Sequence, residues 1–287
     1  MGSKKNGSKI SLKTFISNRD EYVEMLQQNE KSKNTIRNYV TALNRFMEFI
    51  ERHQFTEVNK DSIICFKHEM QNIYMPATAN LYITGLNGYL RFIQAESLCV
   101  KTIQVQRKFS IDTITVEEYA KMLNTAKSRK KNDIYYIMRT LASTGMRIAE
   151  LEYLTMDAVN SGECKIINKN KLRYVLLIDE VREDLLDYCS SKNITKGYVF
   201  FARNPEKVIS EVTVLRRLKR VAVLSDIDQN RVYPHNLRHL FAKRFLESAG
   251  NLNDLADILG HSRIETTRIY TRTSLSERRI KLQNLGL

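Results

Sequence analysis

The residues of this 287-residue chain that invite a chemical reading lie in its second half. In Thr144-Gly-Met-Arg-Ile-Ala-Glu-Leu151, Arg147 follows a glycine suited to ending one helix and opens the next, with Glu150 three residues on and on the same face. Alone, such an Arg–Glu pair is ordinary helix architecture. In Tyr233-Pro-His-Asn-Leu-Arg-His-Leu240, Pro234 marks a helix entry, and the three-residue spacing sets His235 and Arg238 on one face of the first turn. An imidazole and a guanidinium beside helix N-terminal amides make a good cradle for a phosphate. His235 and His239 are four apart, as zinc ligands can be, but the glutamate of HExxH is missing and no third ligand is evident, so zinc is set aside. In Leu259-Gly-His-Ser-Arg-Ile-Glu-Thr-Thr-Arg-Ile-Tyr270, Gly260 closes an apolar helix, His261 follows it, and Tyr270 stands between Arg268 and Arg272. A tyrosine in that company is a candidate nucleophile.

The elements that must hold these groups are mostly helices. Ile36, Tyr39, Val40, Leu43, Phe46, Met47 and Ile50 recur at the three- and four-residue spacing of one buried helical stripe, with Ser32 or Asn34 available as its cap. Further helices are expected around Leu12 to Gln28, Lys60 to Asn72 and Ala77 to Gln94, which makes residues 9–95 a small all-α bundle of four helices. The helical period fades over residues 96–112, an extended and basic stretch that is expected to link two domains. Thr115 with Glu117 and Glu118 resembles a helix start. From there, residues 113–287 are expected to form a second domain with helices at Val116 to Ser128, Asp133 to Ser143, Ile148 to Thr155, Ile178 to Ser190 and Glu211 to Leu224. Cys164 to Ile178 differs: two β-prone runs flank a polar turn near Lys169 to Lys171, the pattern of a hairpin. The fold class expected is therefore mainly α, with a mostly helical second domain carrying a small antiparallel sheet.

Composition narrows the partners. Lys and Arg number 46 against 32 Asp and Glu, a net charge of +14, and most of the surplus lies beyond residue 100. A basic chain without GxxxxGK[ST] or GxGxxG points to nucleic acid and away from nucleotide-driven or dinucleotide chemistry, so no cofactor is expected. The densest run, Arg216, Arg217, Lys219 and Arg220, falls between Val212, Leu215, Leu218, Val221 and Ala222, which places it on the solvent side of a helix. Cys65, Cys99, Cys164 and Cys189 lack C-x-x-C spacing and read as reduced, buried thiols. No apolar run approaches the roughly 18 residues of a membrane span and no signal peptide is evident, so a soluble, cytoplasmic protein is expected.

Taken together and in this order, the motifs resemble those of the tyrosine recombinases, the phage-integrase, Xer and Cre superfamily. Its signature is an Arg, a hairpin Lys, H-x-x-R, a His or Trp, and a Tyr nucleophile. The resemblance implies Arg147, His235, Arg238, His261 and Tyr270 as catalytic residues, Glu150 as the acid that follows the first Arg, and Lys169 as the hairpin lysine. The hairpin is one residue shorter than the common G-K-G-N-K-x-R form, and Lys171 is the alternative. It also implies a four-helix core-binding domain over residues 9–95 and a catalytic domain over 113–287, in a compact form with no arm-binding domain before residue 9, like Xer, Cre and transposon resolvases.

The activity implied is site-specific cutting and rejoining of double-stranded DNA through a 3′-phosphotyrosyl intermediate and a Holliday junction. Arg147, Arg238 and His261 would donate to the non-bridging oxygens, a single such donor being worth about 3 to 4 kcal/mol. His235 would accept the tyrosine proton or donate to the phosphate, and Lys169 would protonate the leaving 5′ oxygen. With a free value of about 10, Tyr270 would be mostly a phenol at neutral pH, and positive charge around the phosphate would favour the phenolate as attack proceeds. Arg37, Lys171, Arg173, Arg216, Arg217, Lys219 and Arg220 are expected to contact DNA. The partners implied are a homo-tetramer on two sites and accessory DNA-bending or partner recombinase proteins, with Ile280, Leu282, Leu285 and Leu287 of the tail docking on a neighbouring protomer or folding back. A catalytically silent DNA-binding protein of the same fold, and a type IB topoisomerase or hairpin telomere resolvase, are the alternatives.

Overall fold

The computed structural model describes residues 9–105, 113–128, 132–168, 171–248, 250–261 and 263–271, with positions 279 and 283. The chain divides into two compact units, residues 1–107 and 108–287.

The first unit opens with strand β1 (Ile10–Ser11) and helices α1 (Leu12–Ser17) and α2 (Arg19–Gln28). One helix was expected over Leu12 to Gln28. Two form because the Asn18 side chain donates to the Thr14 carbonyl at 2.7 Å, taking the acceptor that a continuing helix would use. Helix α3 (Lys33–Arg52) is capped by Ser32, whose Oγ accepts from the Thr35 N–H at 3.2 Å, while Asn34 instead accepts from Arg37. Leu43, Phe46 and Ile50 of the apolar stripe are buried, and Ala42 and Phe49 widen it. Strand β2 (Glu57–Val58) pairs antiparallel with β1, Ile10 opposite Val58, a ladder too short to leave an alternation in the sequence. Helix α4 (Lys60–Ile73) starts with a capping box between Asn59 and Ser62, and α5 (Pro76–Phe92) has its proline at the first turn. Phe15, Tyr22, Phe46, Phe49, Phe66 and Tyr89 fill the core between them. Beyond a 3₁₀ turn at Glu96–Leu98, the expected linker is fastened to α5: Asn87 bonds both polar groups of Val100, and Asn80 both of Ile103.

The second unit begins with α6 (Val116–Ser128), whose start is a reciprocal Thr115–Glu118 cap, and α7 (Asn132–Thr144). Ile148 to Thr155 was expected to be an α-helix. It is a 3₁₀ helix over Ile148–Tyr153, and the unforeseen α8 (Met156–Ser161) follows, capped by Thr155 and stopped by Gly162. Strands β3 (Glu163–Asn168) and β4 (Lys171–Leu176) make the expected hairpin, in register Asn168 opposite Lys171 and Ile166 opposite Arg173. One of its faces, with Cys164, Ile166 and Val175, enters the core. Helices α9 (Asp179–Ser191), α10 (Glu211–Leu224), α11 (Pro234–Ser248), α12 (Leu252–Leu259) and α13 (Ile264–Thr267) complete the unit, with a 3₁₀ turn at Arg268–Thr271. In α10 the buried face runs through Val214, Leu218, Val221 and Ala222, and Val212 is exposed rather than part of the stripe. All four cysteines are free; Cys164 and Cys189 are buried and Cys99 is half-buried, but Cys65 lies exposed, against expectation. Among the described residues no helix is long and apolar enough to cross a membrane.

Candidate active site

The site is assembled where the end of α7, the hairpin, α11 and the segment from α12 to Tyr270 meet within the second unit. Gly145 ends α7 at φ +62°, in the left-handed region where a side chain is strained. The turn presents Arg147, whose Nη1 donates to Glu150 Oε1 at 2.9 Å and whose backbone N–H donates to Oε2 at 2.6 Å. Glu150 is itself buried and also accepts from Arg173 Nη2 at 2.5 Å. Its carboxylate thus joins two guanidiniums. Arg173, expected among the DNA-contacting cations, is turned inward on β4, where its Nη1 donates to the Ile258 carbonyl. Gly260, at φ +64°, leaves room for it: a Cβ there would lie 2.6 Å from Arg173 Cδ.

Arg238 on α11 is 1% exposed. Its Nη1 donates to the Gly145 carbonyl at 2.6 Å, and its Nη2 donates to the Leu259 carbonyl at 2.7 Å and to His261 Nε2 at 3.0 Å. Burial, then the charge of Arg147, pulls its pKa down to about 10, so it stays a cation at neutral pH. The Nδ1 of His261 lies 2.8 Å from Thr267 Oγ1. Burial and the neighbouring guanidiniums push His261 down to about 4, which leaves it neutral.

Tyr270 packs with Ala242, Leu255 and Leu259, its ring stacked at 6.3 Å on that of His261 and tilted at 5.1 Å from that of His239. Burial raises its pKa, and Arg238 and Arg147 only partly oppose the shift. The resting side chain is therefore a phenol. His235 stands exposed on α11, with its pKa lowered by desolvation and by Arg238 and Arg147, so a neutral imidazole is available as acceptor.

Glu150 holds Arg147, Arg238 hangs on the Gly145 turn beside them and bonds His261, and Tyr270 stacks on His261, with His235 on the same helix as Arg238. His239 was missed as a member of this group. It is buried, its ring lies 4.5 Å from that of His235, and burial pushes its pKa down to about 4. Its spacing of four from His235 was the available signal, read only for zinc. Lys169 lies outside the described residues, and Lys171 opens β4. Of the remaining cations, Arg216 and Arg220 are exposed on α10, Lys219 is half-buried, Arg217 pairs with Asp133, and Arg37 is exposed on α3 in the first unit.

The first unit is helical, and in the second, guanidiniums and imidazoles with lowered pKa values gather about the half-buried Tyr270. The chain belongs to the phage integrase family: residues 112–277 match that family and residues 20–97 match the phage integrase N-terminal SAM-like domain. It is a tyrosine recombinase. It is 26% identical to the TnP I resolvase of Bacillus thuringiensis over 92% of this chain and 98% of that one. With the tyrosine recombinase XerD of Staphylococcus aureus the identity is 28%, over 90% and 94% of the two chains. In fold it is similar to the lambda integrase fragment 75–356 seen as a dimer on a COC′ core site, with a TM-score of 0.72, 16% identity, and 91% and 95% of the chains covered.

Proposed function

We propose that this enzyme recombines specific DNA sites by a metal-independent transesterification in which Tyr270 is the nucleophile. Its phenol oxygen attacks the scissile phosphorus, a 3′-phosphotyrosyl bond forms, and the bond to the 5′ oxygen breaks. The 5′ hydroxyl of a partner strand reverses the step on a second duplex, so bond energy is conserved and no nucleotide is consumed. Arg147 and Arg238 bind the non-bridging oxygens and stabilise the charge that develops there. His235 takes the phenolic proton. Lys169 protonates the departing 5′ oxygen.

The observation that carries this assignment is the buried Arg238, which touches the Arg147 turn, the end of α12 and His261, while acting on the Tyr270 phenol by charge and hydrogen bonding. A cation placed so deeply costs several kcal/mol of desolvation, a cost that an anionic substrate repays. We assign residues 9–95 to core-site binding, residues 113–287 to catalysis and tail docking, and Arg37, Arg216, Lys219 and Arg220 to phosphate contacts along the duplex. Two duplexes and four protomers make the working complex, in the cytoplasm. Integration, excision and resolution all use this one strand exchange.

The test is a nicked suicide DNA site incubated with wild type and with Tyr270→Phe. Wild type should yield a covalent protein–DNA adduct and the variant none. An undiminished adduct from Tyr270→Phe removes the nucleophile assignment.

A further inference from the structure

We infer that Tyr153 is a positioning residue for the hairpin lysine: its hydroxyl holds the outer edge of β3 two residues before Lys169, so the turn that presents Arg147 also sets where the general acid is delivered. The inference deepens the function proposed above and rests on its assignment of Lys169.

Burial secures one face of the hairpin and leaves its outer part to polar tethers. Cys164, Ile166 and Val175 enter the core, whereas Ile167 and Leu172, which face each other toward the tip, are 55% and 51% exposed. Asn168 opposite Lys171 leaves positions 169 and 170 between the strands. In a hairpin of that register the closing pair exchanges hydrogen bonds and the next pair does not, so the Ile167 carbonyl points away from β4. Among the described residues no other strand pairs with β3 on that side. The Tyr153 hydroxyl takes the place of one, donating to the Ile167 carbonyl at 2.8 Å. The Tyr153 ring packs against the core of the second unit, so the donor stands on a fixed body. Desolvation, with Glu152 and Glu150, raises the pKa of Tyr153, and the hydroxyl keeps the proton it donates.

The other strand is tethered from the same turn. Glu150 and Tyr153 both lie in the 3₁₀ helix Ile148–Tyr153, where residues three apart share one face. Glu150 accepts from Arg173 on β4, and Tyr153 donates to Ile167 on β3. Glu150 also holds Arg147. One short turn thereby fixes an arginine that serves the non-bridging oxygens and both strands of the hairpin whose lysine serves the leaving oxygen. Loss of the Tyr153 hydroxyl frees β3 alone, because β4 stays fastened through Arg173 to Glu150 and to the Ile258 carbonyl. The defect then falls on proton delivery and spares the arginines.

Tyr153→Phe removes the hydroxyl and keeps the ring. In single-turnover cleavage of the suicide site at saturating DNA it should be about 3- to 10-fold slower than wild type, the effect of one ordinary hydrogen bond. On the same site with sulfur in place of the bridging 5′ oxygen it should match wild type, because that leaving group departs without a proton. A merely structural role slows both substrates alike, and that result overturns the inference, as does a wild-type rate on the oxygen site. Added to Lys169→Ala, Tyr153→Phe should cause no further slowing on the oxygen site, and independent, additive losses overturn the inference too. A second arm needs no DNA. In amide hydrogen exchange of the full-length protein, peptides spanning residues 163–176 should exchange faster in Tyr153→Phe, with those of α7 and α11 unchanged. Equal exchange of the hairpin in both proteins overturns the hold. If sulfur fails to rescue Lys169→Ala, the failure is that of the general acid in the proposed function, and the exchange measurement still decides whether Tyr153 holds the hairpin.

Discussion

The guanidinium of Arg238 donates to the carbonyl of Gly145 at 2.6 Å, so the second arginine of the cluster hangs on the turn that presents the first. That turn tolerates only glycine. At φ +62° a Cβ on residue 145 would be strained, and it would lie 2.4 Å from the Phe241 ring and 2.9 Å from Leu259. Overpacking and the left-handed backbone together cost roughly 2 to 4 kcal/mol. Gly145→Ala should therefore unfold at a temperature several degrees below wild type by circular dichroism, and should cleave the suicide site poorly even where folded, because the displaced carbonyl frees Arg238.

Glu150 is the counter-ion that lets two guanidiniums share this corner. Its carboxylate is 3% exposed and bonds both Arg147 and Arg173. Removing one partner of a buried ion pair costs about 3 to 5 kcal/mol, because the charge left behind stays buried. Glu150→Ala should show that scale of loss in urea unfolding. Glu150→Gln keeps the shape and one acceptor, so it should fold better than Glu150→Ala while cleaving more slowly than wild type, since Arg147 loses its charged anchor. Equal urea midpoints for wild type and Glu150→Ala would count against the bridging role.

How much of this was legible in the sequence differs from residue to residue. Arg147, His235, Arg238, His261 and Tyr270 sit in short motifs whose local spacing and order survive without coordinates. The bounds of α10 were readable because Ser210 caps its start and its leucines and valines keep a helical period. Arg173 was not readable, because its partner is a carbonyl 85 residues away at Ile258. His239 was missed for a related reason, since its place depends on burial between the rings of His235 and Tyr270. The β1–β2 ladder has two residues per strand, and the 3₁₀ turn after Arg147 has the same apolar spacing as an α-helix over so short a run. A resting phenol at Tyr270 was expected from its free value, but that burial would raise its pKa against the pull of the two arginines was not readable, because it depends on packing against Ala242, Leu255 and Leu259.

Acid should loosen the second unit through its buried imidazoles. His239 is 5% exposed and held at a pKa of about 4, mainly by burial, below the ordinary histidine value of about 6.5. The folded state therefore binds fewer protons than the unfolded chain between those values. The contribution is complete above pH 6.5, declines as pH falls through the window, and is gone below pH 4. At pH 5 it amounts to about 2 kcal/mol lost for this group. Urea midpoints measured at pH 7 and pH 5 should fall for wild type, and the fall should be smaller in His239→Phe. An identical drop in both proteins would assign the acid sensitivity elsewhere.

The hairpin lysine separates from the arginines by the charge it handles. In the proposed mechanism Arg147 and Arg238 stabilise the non-bridging oxygens, a demand that remains whatever atom departs. A general acid matters only while the leaving group is a poor one. Replacing the bridging 5′ oxygen by sulfur gives a thiolate whose conjugate acid has a pKa of about 8.5, as for a cysteine side chain, and it departs without a proton. Lys169→Ala should therefore be slow on the ordinary suicide site and close to wild type on the sulfur-bridged one. Lys171→Ala, at the first residue of β4, should show no such contrast, and Arg238→Ala should remain inactive on both. If the sulfur substrate rescues Lys171→Ala and leaves Lys169→Ala slow, the general acid is Lys171.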